Sequence, residues 1–181
     1  MVKSLEQSLI LRCKSGDTNA FGPLIKLYRK QLYSYLYRLF NDKIFAEETL
    51  QETLIKTWNG IEKYSEQQKF SSWLFTVAHN CSMDELRKVK SDKLFTNDEP
   101  DELPGDDNPM RKLEKEELRL LISRAVEKLS FKQKNVFLLR VEGGFSFKEI
   151  AEISGENLNT VLSHMNYSIK KIRKILSSNY E

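Results

Sequence analysis

Apolar residues along this chain recur at steps of three and four, strict alternation is rare, and only two glycines precede residue 60, so the pattern predicts helices throughout. A first helix is predicted over Leu5 to Cys13, ending at Ser15-Gly16. A second covers Ala20 to Phe40 with an aromatic-rich face, Phe21, Leu24, Tyr28, Leu32, Tyr35 and Leu39, which reads as core rather than as a cofactor box. A third, Ile44 to Trp58, buries Leu50, Leu54 and Trp58 and projects Glu47, Glu48, Gln51 and Glu52 from another side. A fourth, Phe70 to about Lys90, carries Trp73, Leu74, Val77, Ala78, Cys81 and Leu86. Its basic end, Arg87, Lys88 and Lys90, also suits the negative end of a helix dipole.

The periodicity stops at Ser91 to Pro109, which holds three of the four prolines and reads as a linker kept extended by like charges. Beyond it, Arg111 to Leu129 is amphipathic through Leu118, Leu121, Ile122, Ala125 and Leu129. Two capping boxes follow. Ser130 with Gln133 starts a helix that runs to Val141 and stops at Gly143-Gly144, and Ser146 with Glu149 starts a short one through Ile153. Gly155 supplies a tight turn, and Asn157 is a fitting N-cap for a last helix with Val161, Met165, Ile169, Ile172 and Leu176 on one face. The expectation is an all-α chain: two small helical domains, 1–90 and 111–181, joined by an acidic linker, 91–110.

Charge sharpens this division. The net charge of +3 is distributed as +4 over residues 1–90, −6 over 91–110 and +5 over 111–181, and basic blocks on either side of an acidic tether point to polyanion partners. No apolar run is long enough to span a bilayer and the start lacks a signal-like stretch, so a cytoplasmic location is expected. Cys13 and Cys81 have no CxxC partner and read as core thiols; no metal and no cofactor is expected. His79 and His164 lie in different blocks without a carboxylate at telling spacing, and no phosphate-cradling glycine loop is present, so no enzyme is expected.

The short helix, glycine turn and long helix from Phe145 to Leu176 match the DNA-binding helix-turn-helix, whose second helix enters the major groove. On its outer face Thr160, Ser163, His164 and Tyr167 are placed for base edges, and Lys170, Lys171 and Lys174 for phosphates. In the first block, IEKYSEQQKFSSWLFTVAHN sets aromatic residues beside lysines and amides, a mixture that suits unpaired bases. Taken alone it leaves Trp73 and Phe75 open between core and base platform. The cluster Glu47, Glu48, Gln51 and Glu52 repels phosphates and fits a protein surface better. A free-standing helix-turn-helix regulator needs neither feature.

The strings DKIFAEETLQETLIKTW, FSSWLFTVAHNCSMDELRK and LSFKQKNVFLLRVEGGFSFKEIAE together resemble an extracytoplasmic-function sigma factor, and the resemblance covers nearly the whole chain. It implies that the first domain docks the clamp helices of RNA polymerase's largest subunit, with Glu48, Gln51 and Glu52 in the motif positions. It implies that Lys63, Lys69, Phe70, Trp73, His79, Asn80, Arg87 and Lys88 open the minus-ten element and hold its melted non-template strand with a flipped base. The last domain then reads the minus-thirty-five duplex through Lys148, Asn159, Thr160, Ser163, His164, Tyr167, Lys170 and Lys171. Implied partners are core RNA polymerase, promoter DNA and a sequestering anti-sigma factor, with the linker threading toward the RNA path. Where the family's last helix reads something like GTVKSRLHRAR, this chain has NTVLSHMNYSIKK, with Leu162, His164 and Tyr167 where basic residues are common. Glu156 replaces a usual apolar residue, and Leu158 is expected to take over its burial. A polymerase-binding protein with feeble duplex recognition is a further reading of those changes.

Overall fold

The computed structural model describes residues 2–92 and 109–177, and among them every regular element is helical. The first block holds α1 (Val2–Lys14), α2 (Thr18–Lys26), α3 (Arg29–Phe40), α4 (Lys43–Gly60), a 3-10 turn (Ile61–Lys63) and α5 (Phe70–Asp92). The second holds α6 (Pro109–Glu127), α7 (Phe131–Val141), α8 (Phe147–Ser154) and α9 (Leu158–Ser177). The expected linker, residues 93–108 of it, lies outside the described residues.

Local chemistry sets most of these boundaries. Asn41 ends α3 in the left-handed region at φ 53°, where its short side chain is tolerated, and the Asp42 carboxylate accepts from the Phe45 amide to start α4. Both capping boxes form, at Ser130/Gln133 and Ser146/Glu149. Gly143 is required by close approach: a Cβ there would lie 2.5 Å from the Leu139 carbonyl and 2.4 Å from the Phe145 ring. The chain therefore folds back, and the Phe145 amide and carbonyl bond Leu139 and Arg140.

Three sequence expectations need correction. The helix expected over Ala20 to Phe40 is two helices. Its last turn before the break tightens, with the Leu27 and Tyr28 amides bonding the carbonyls three residues back. Tyr28 then turns to donate to Glu6 and packs on Phe70. On α4 the fully buried seam is Thr49, Thr53 and Thr57, while Leu54 and Trp58 are half-buried; these small side chains let α4 lie close to α5, where Cys81 sits beside Thr53. On α6, Leu118 is exposed rather than core. Both cysteines are buried and unpaired.

The buried hydrophobic residues of the two blocks form one continuous cluster. Within it α3, α4 and α5 surround Leu32, Leu36, Leu74 and Ala78, and α7, α8 and α9 surround Leu138, Leu139, Ile150 and Val161. The blocks meet where α3 packs on α7 and α5 on α8.

Candidate nucleic-acid interface

The turn between α8 and α9 is closed by Gly155 at φ 67°. Asn157 then caps α9, its side-chain oxygen accepting from the Thr160 amide at 2.8 Å and the Thr160 hydroxyl at 3.0 Å. Buried Ser168 ties α9 to α7 by bonding the Gln133 carbonyl. These contacts turn outward a shallow groove in which the amides and hydroxyls of Gln133, Asn157, Asn159, Thr160 and Ser163 stand among apolar surface that includes Leu158 and the Tyr167 ring. Asn159, Ser163, Lys148 and Lys170 are exposed, and Tyr167 is 62% exposed.

Two residues of the expected reading face are otherwise engaged. His164 turns its Nε2 inward to 3.6 Å from Glu156, whose other oxygen takes an ion pair from Lys132 at 3.0 Å. Lys171 bonds the Lys128 carbonyl at the end of α6. The expectation for Leu158 is corrected too. It is 37% exposed, and Glu156 keeps its half-buried position because Lys132 compensates its charge.

In the first block, Tyr64 anchors the loop between the 3-10 turn and α5: its hydroxyl donates to the Gln68 carbonyl at 2.6 Å, and its own carbonyl accepts from Lys14 at 2.9 Å. Its ring joins Phe70 and Trp73 in an aromatic cluster with centroids 5.2–5.6 Å apart. Trp73 is half-buried against Gly60, with part of its ring open to solvent. Lys63 and Asn80 are exposed; Arg87 and Lys88 are exposed too and pair with Asp84 and Glu85 on their own helix. Phe70, at 1% exposure, and His79, at 7%, are corrected from surface to interior in this arrangement. Phe75, left open above, is core, its ring edge-on to Phe145 at 4.9 Å. Lys69 projects into solvent and pairs with Glu149 of α8 at 2.8 Å.

On α4, Glu47, Glu48 and Gln51 are exposed, and Glu52 pairs with Lys56 at 2.9 Å. Ile44 and Ile55, 66% and 61% exposed, lie on the same face as Glu48 and Gln51 at helical spacing. Sequence reasoning missed both isoleucines. Their signal was present, since neither fits the buried period of α4.

Comparisons with known proteins find matches to both blocks. Residues 24–91 match the sigma-70 region 2 family, and residues 119–172 match the sigma-70 region 4 family. The chain is 30% identical over 146 residues to the ECF RNA polymerase sigma factor SigL of Mycobacterium tuberculosis, covering 80% of this chain and 82% of that one. It belongs to the ECF sigma factors of RNA polymerase. SigW of Bacillus subtilis is 27% identical over 180 residues, covering 92% of this chain and 94% of SigW. Among solved structures, CnrH in complex with the cytosolic domain of CnrY covers 96% of this chain and 98% of its own at 19% identity and a TM-score of 0.70. The sigma factor RpoE in complex with the anti-sigma factor NepR, from Bartonella quintana, covers 87% and 96% at 21% identity and 0.71. These two show the shared all-helical fold. The sigma factor therefore directs promoter-specific initiation by RNA polymerase, in a family of non-enzymatic initiation factors, and the reading as a free-standing regulator finds no support. Among the described residues no helix is long and apolar enough to cross a membrane, and no group of metal-ligating side chains occurs.

Proposed function

We propose that this sigma factor divides promoter loading among three surfaces. The outer face of α4, with Glu48, Gln51 and Glu52 flanked by Ile44 and Ile55, docks the polymerase clamp helices. The observation that carries this is the pairing of two exposed isoleucines with exposed Glu48 and Gln51 on one helix face, an apolar anchor inside a polar rim. The loop before α5 and the start of that helix, with Lys63, Lys69, Trp73 and Asn80, hold the melted minus-ten strand. Asn159, Thr160, Ser163, Tyr167, Lys148 and Lys170 read the minus-thirty-five duplex. The division follows residues 1–90 and 111–181, with 91–110 as tether. The protein works through assembly rather than turnover, in the cytoplasm, and answers to an anti-sigma factor; the solved RpoE, of the same fold, is in complex with one.

Glu48→Lys combined with Gln51→Ala tests the assignment. Capture by core polymerase should fall at least about tenfold, since like-charge placement and loss of a contact each cost on the order of 1 kcal/mol or more. The thermal melt should stay unchanged, because both side chains are exposed. Run-off transcription at the unmodified level by the double variant overturns the α4 assignment.

A further inference from the structure

The aromatic side chains beside the loop before α5 are held from behind by α1, which precedes residues 24–91, the stretch that matches the region 2 family. Buried Leu9, Ile10 and Cys13 fix the register of α1 on the core, and the helix lies against the 3-10 turn Ile61–Lys63. That register delivers two polar side chains to neighbouring elements. Glu6 accepts from the Tyr28 hydroxyl, and the Tyr28 ring packs on Phe70 at 5.6 Å. Lys14, in the last turn of α1, donates to the Tyr64 carbonyl at 2.9 Å, 50 residues further along the chain.

Tyr64 is the joint between that lysine and the open part of the Trp73 ring. The 3-10 turn ends on it: its amide bonds the Ile61 carbonyl, and its backbone then extends at ψ 129°. A carbonyl that leaves a helical turn has no partner within it, and an ammonium on a flexible stem is a strong donor to one. The Tyr64 side chain is 5% exposed and pinned at both ends, its hydroxyl on the Gln68 carbonyl and its ring 5.2 Å from Trp73. On its other side Trp73 lies flush on α4, since a Cβ at Gly60 would come within 3.3 Å of its ring. Residues 65–69 are all exposed, so Tyr64 is where this loop is fastened to the core.

We infer that Lys14 is a positioning residue for promoter opening: through the Tyr64 carbonyl it sets the loop 64–69 and the Trp73 ring that the melted minus-ten strand meets, without touching DNA itself. The role rests on the minus-ten surface proposed above. Without this bond the loop has to be ordered as the strand is captured, so the loss falls on opening. Polymerase docking uses the outer face of α4 and is left alone.

The test uses the full chain, alone and with core polymerase on a promoter selected from a random library by the unmodified holoenzyme. Lys14→Met keeps the apolar stem and removes the donor. Hydrogen exchange over residues 64–69 should speed up several-fold. Permanganate reactivity of thymines in the minus-ten element should develop about tenfold more slowly, roughly what one charge-assisted hydrogen bond contributes. Half-saturation with core polymerase and the thermal melt should not change. Lys14→Arg, which still donates to a carbonyl, should restore both exchange and opening. Opening at the unmodified rate in Lys14→Met, or an equal loss in Lys14→Arg, overturns the role. Should Lys14→Met lower the melt, Lys14→Gln replaces it and is read the same way. Lys63→Ala combined with Asn80→Ala, both exposed, checks the underlying reading. Slowed opening there with unmodified opening in Lys14→Met strikes Lys14 alone. Unmodified opening in that pair strikes the minus-ten surface, and the Lys14 role with it.

Discussion

Removing the Tyr35 hydroxyl isolates one bond of the seam between the blocks. Tyr35 is fully enclosed, and burial holds its phenol far above the usual tyrosine range, so it remains a donor at every working pH. Tyr35→Phe keeps the ring beside Phe75, 5.5 Å away, and leaves the Asn135 oxygen buried without its partner. An orphaned buried acceptor costs about 1–3 kcal/mol, whereas replacing both partners with apolar groups of similar shape is close to neutral. The expected loss for Tyr35→Phe is about 2 kcal/mol of docking free energy, roughly a 25-fold shift toward the parted state. Asn135→Leu alone should cost about as much, since it orphans the buried Tyr35 hydroxyl. The double variant should recover at least about 1 kcal/mol of the summed losses. Donor and acceptor fluorophores on the exposed helix positions Glu62 and Arg173, read against urea, measure the docking step separately from unfolding of each block. Single-variant losses that add within about 0.5 kcal/mol would refute the coupling, and with it the view that this bond is specific to the docked form.

Three further outcomes follow from particular side chains. Burial lowers the His79 pKa from its ordinary 6.5, opposed by the nearby Asn135 side chain and by Glu156; Lys132 also lines this site. Docking is then fully favoured above that ordinary value and weakens as pH falls below it, because the parted form takes up a proton that the docked form resists; the same fluorophores should report this between pH 7 and 5, and a His79→Gln chain that keeps the full slope would refute it. Gly143→Ala should lower stability by about 2 kcal/mol or more, since its Cβ would meet the Leu139 carbonyl at 2.5 Å; an unchanged melting temperature refutes the close-approach argument. Tyr167→Ala should leave the melt unchanged while weakening footprints over the minus-thirty-five element several-fold in the polymerase complex, and equal protection would remove Tyr167 from the reading surface.

Where a local rule governed the fold, the residues announced it. Ser130 with Gln133, Ser146 with Glu149, and Gly155 before Asn157 each state a boundary in one or two side chains, because capping is a contact between near neighbours in the chain. The break at Leu27 and Tyr28 was hidden because Leu24, Tyr28, Leu32 and Tyr35 keep helical step straight through it. The Tyr28 side chain at the break is held by a distant carboxylate, Glu6. The seam between the blocks was equally illegible. Tyr35 and Asn135 stand 100 residues apart, and a tyrosine on an apolar face carries no sign of which acceptor its hydroxyl will find. The candidate site divides along the same line. The exposure of Glu47, Glu48, Ser163 and Tyr167 was legible in spacing, but Phe70 is enclosed by Tyr28, Tyr64 and Trp73, and His79 by the other block.

The same division changes what α9 is able to do alone. Its entry end lacks the arginines common in the family, His164 is drawn toward Glu156, and Lys171 is occupied by the Lys128 carbonyl. The cations left, Lys170, Arg173 and Lys174, stand toward the far end, so the entry end offers little charge to release counterions from duplex phosphates. Binding at the minus-thirty-five element must then draw on tethering. Once α4 is on polymerase and the minus-ten strand is held, the second block sees its duplex at a high effective concentration, and a weak contact suffices.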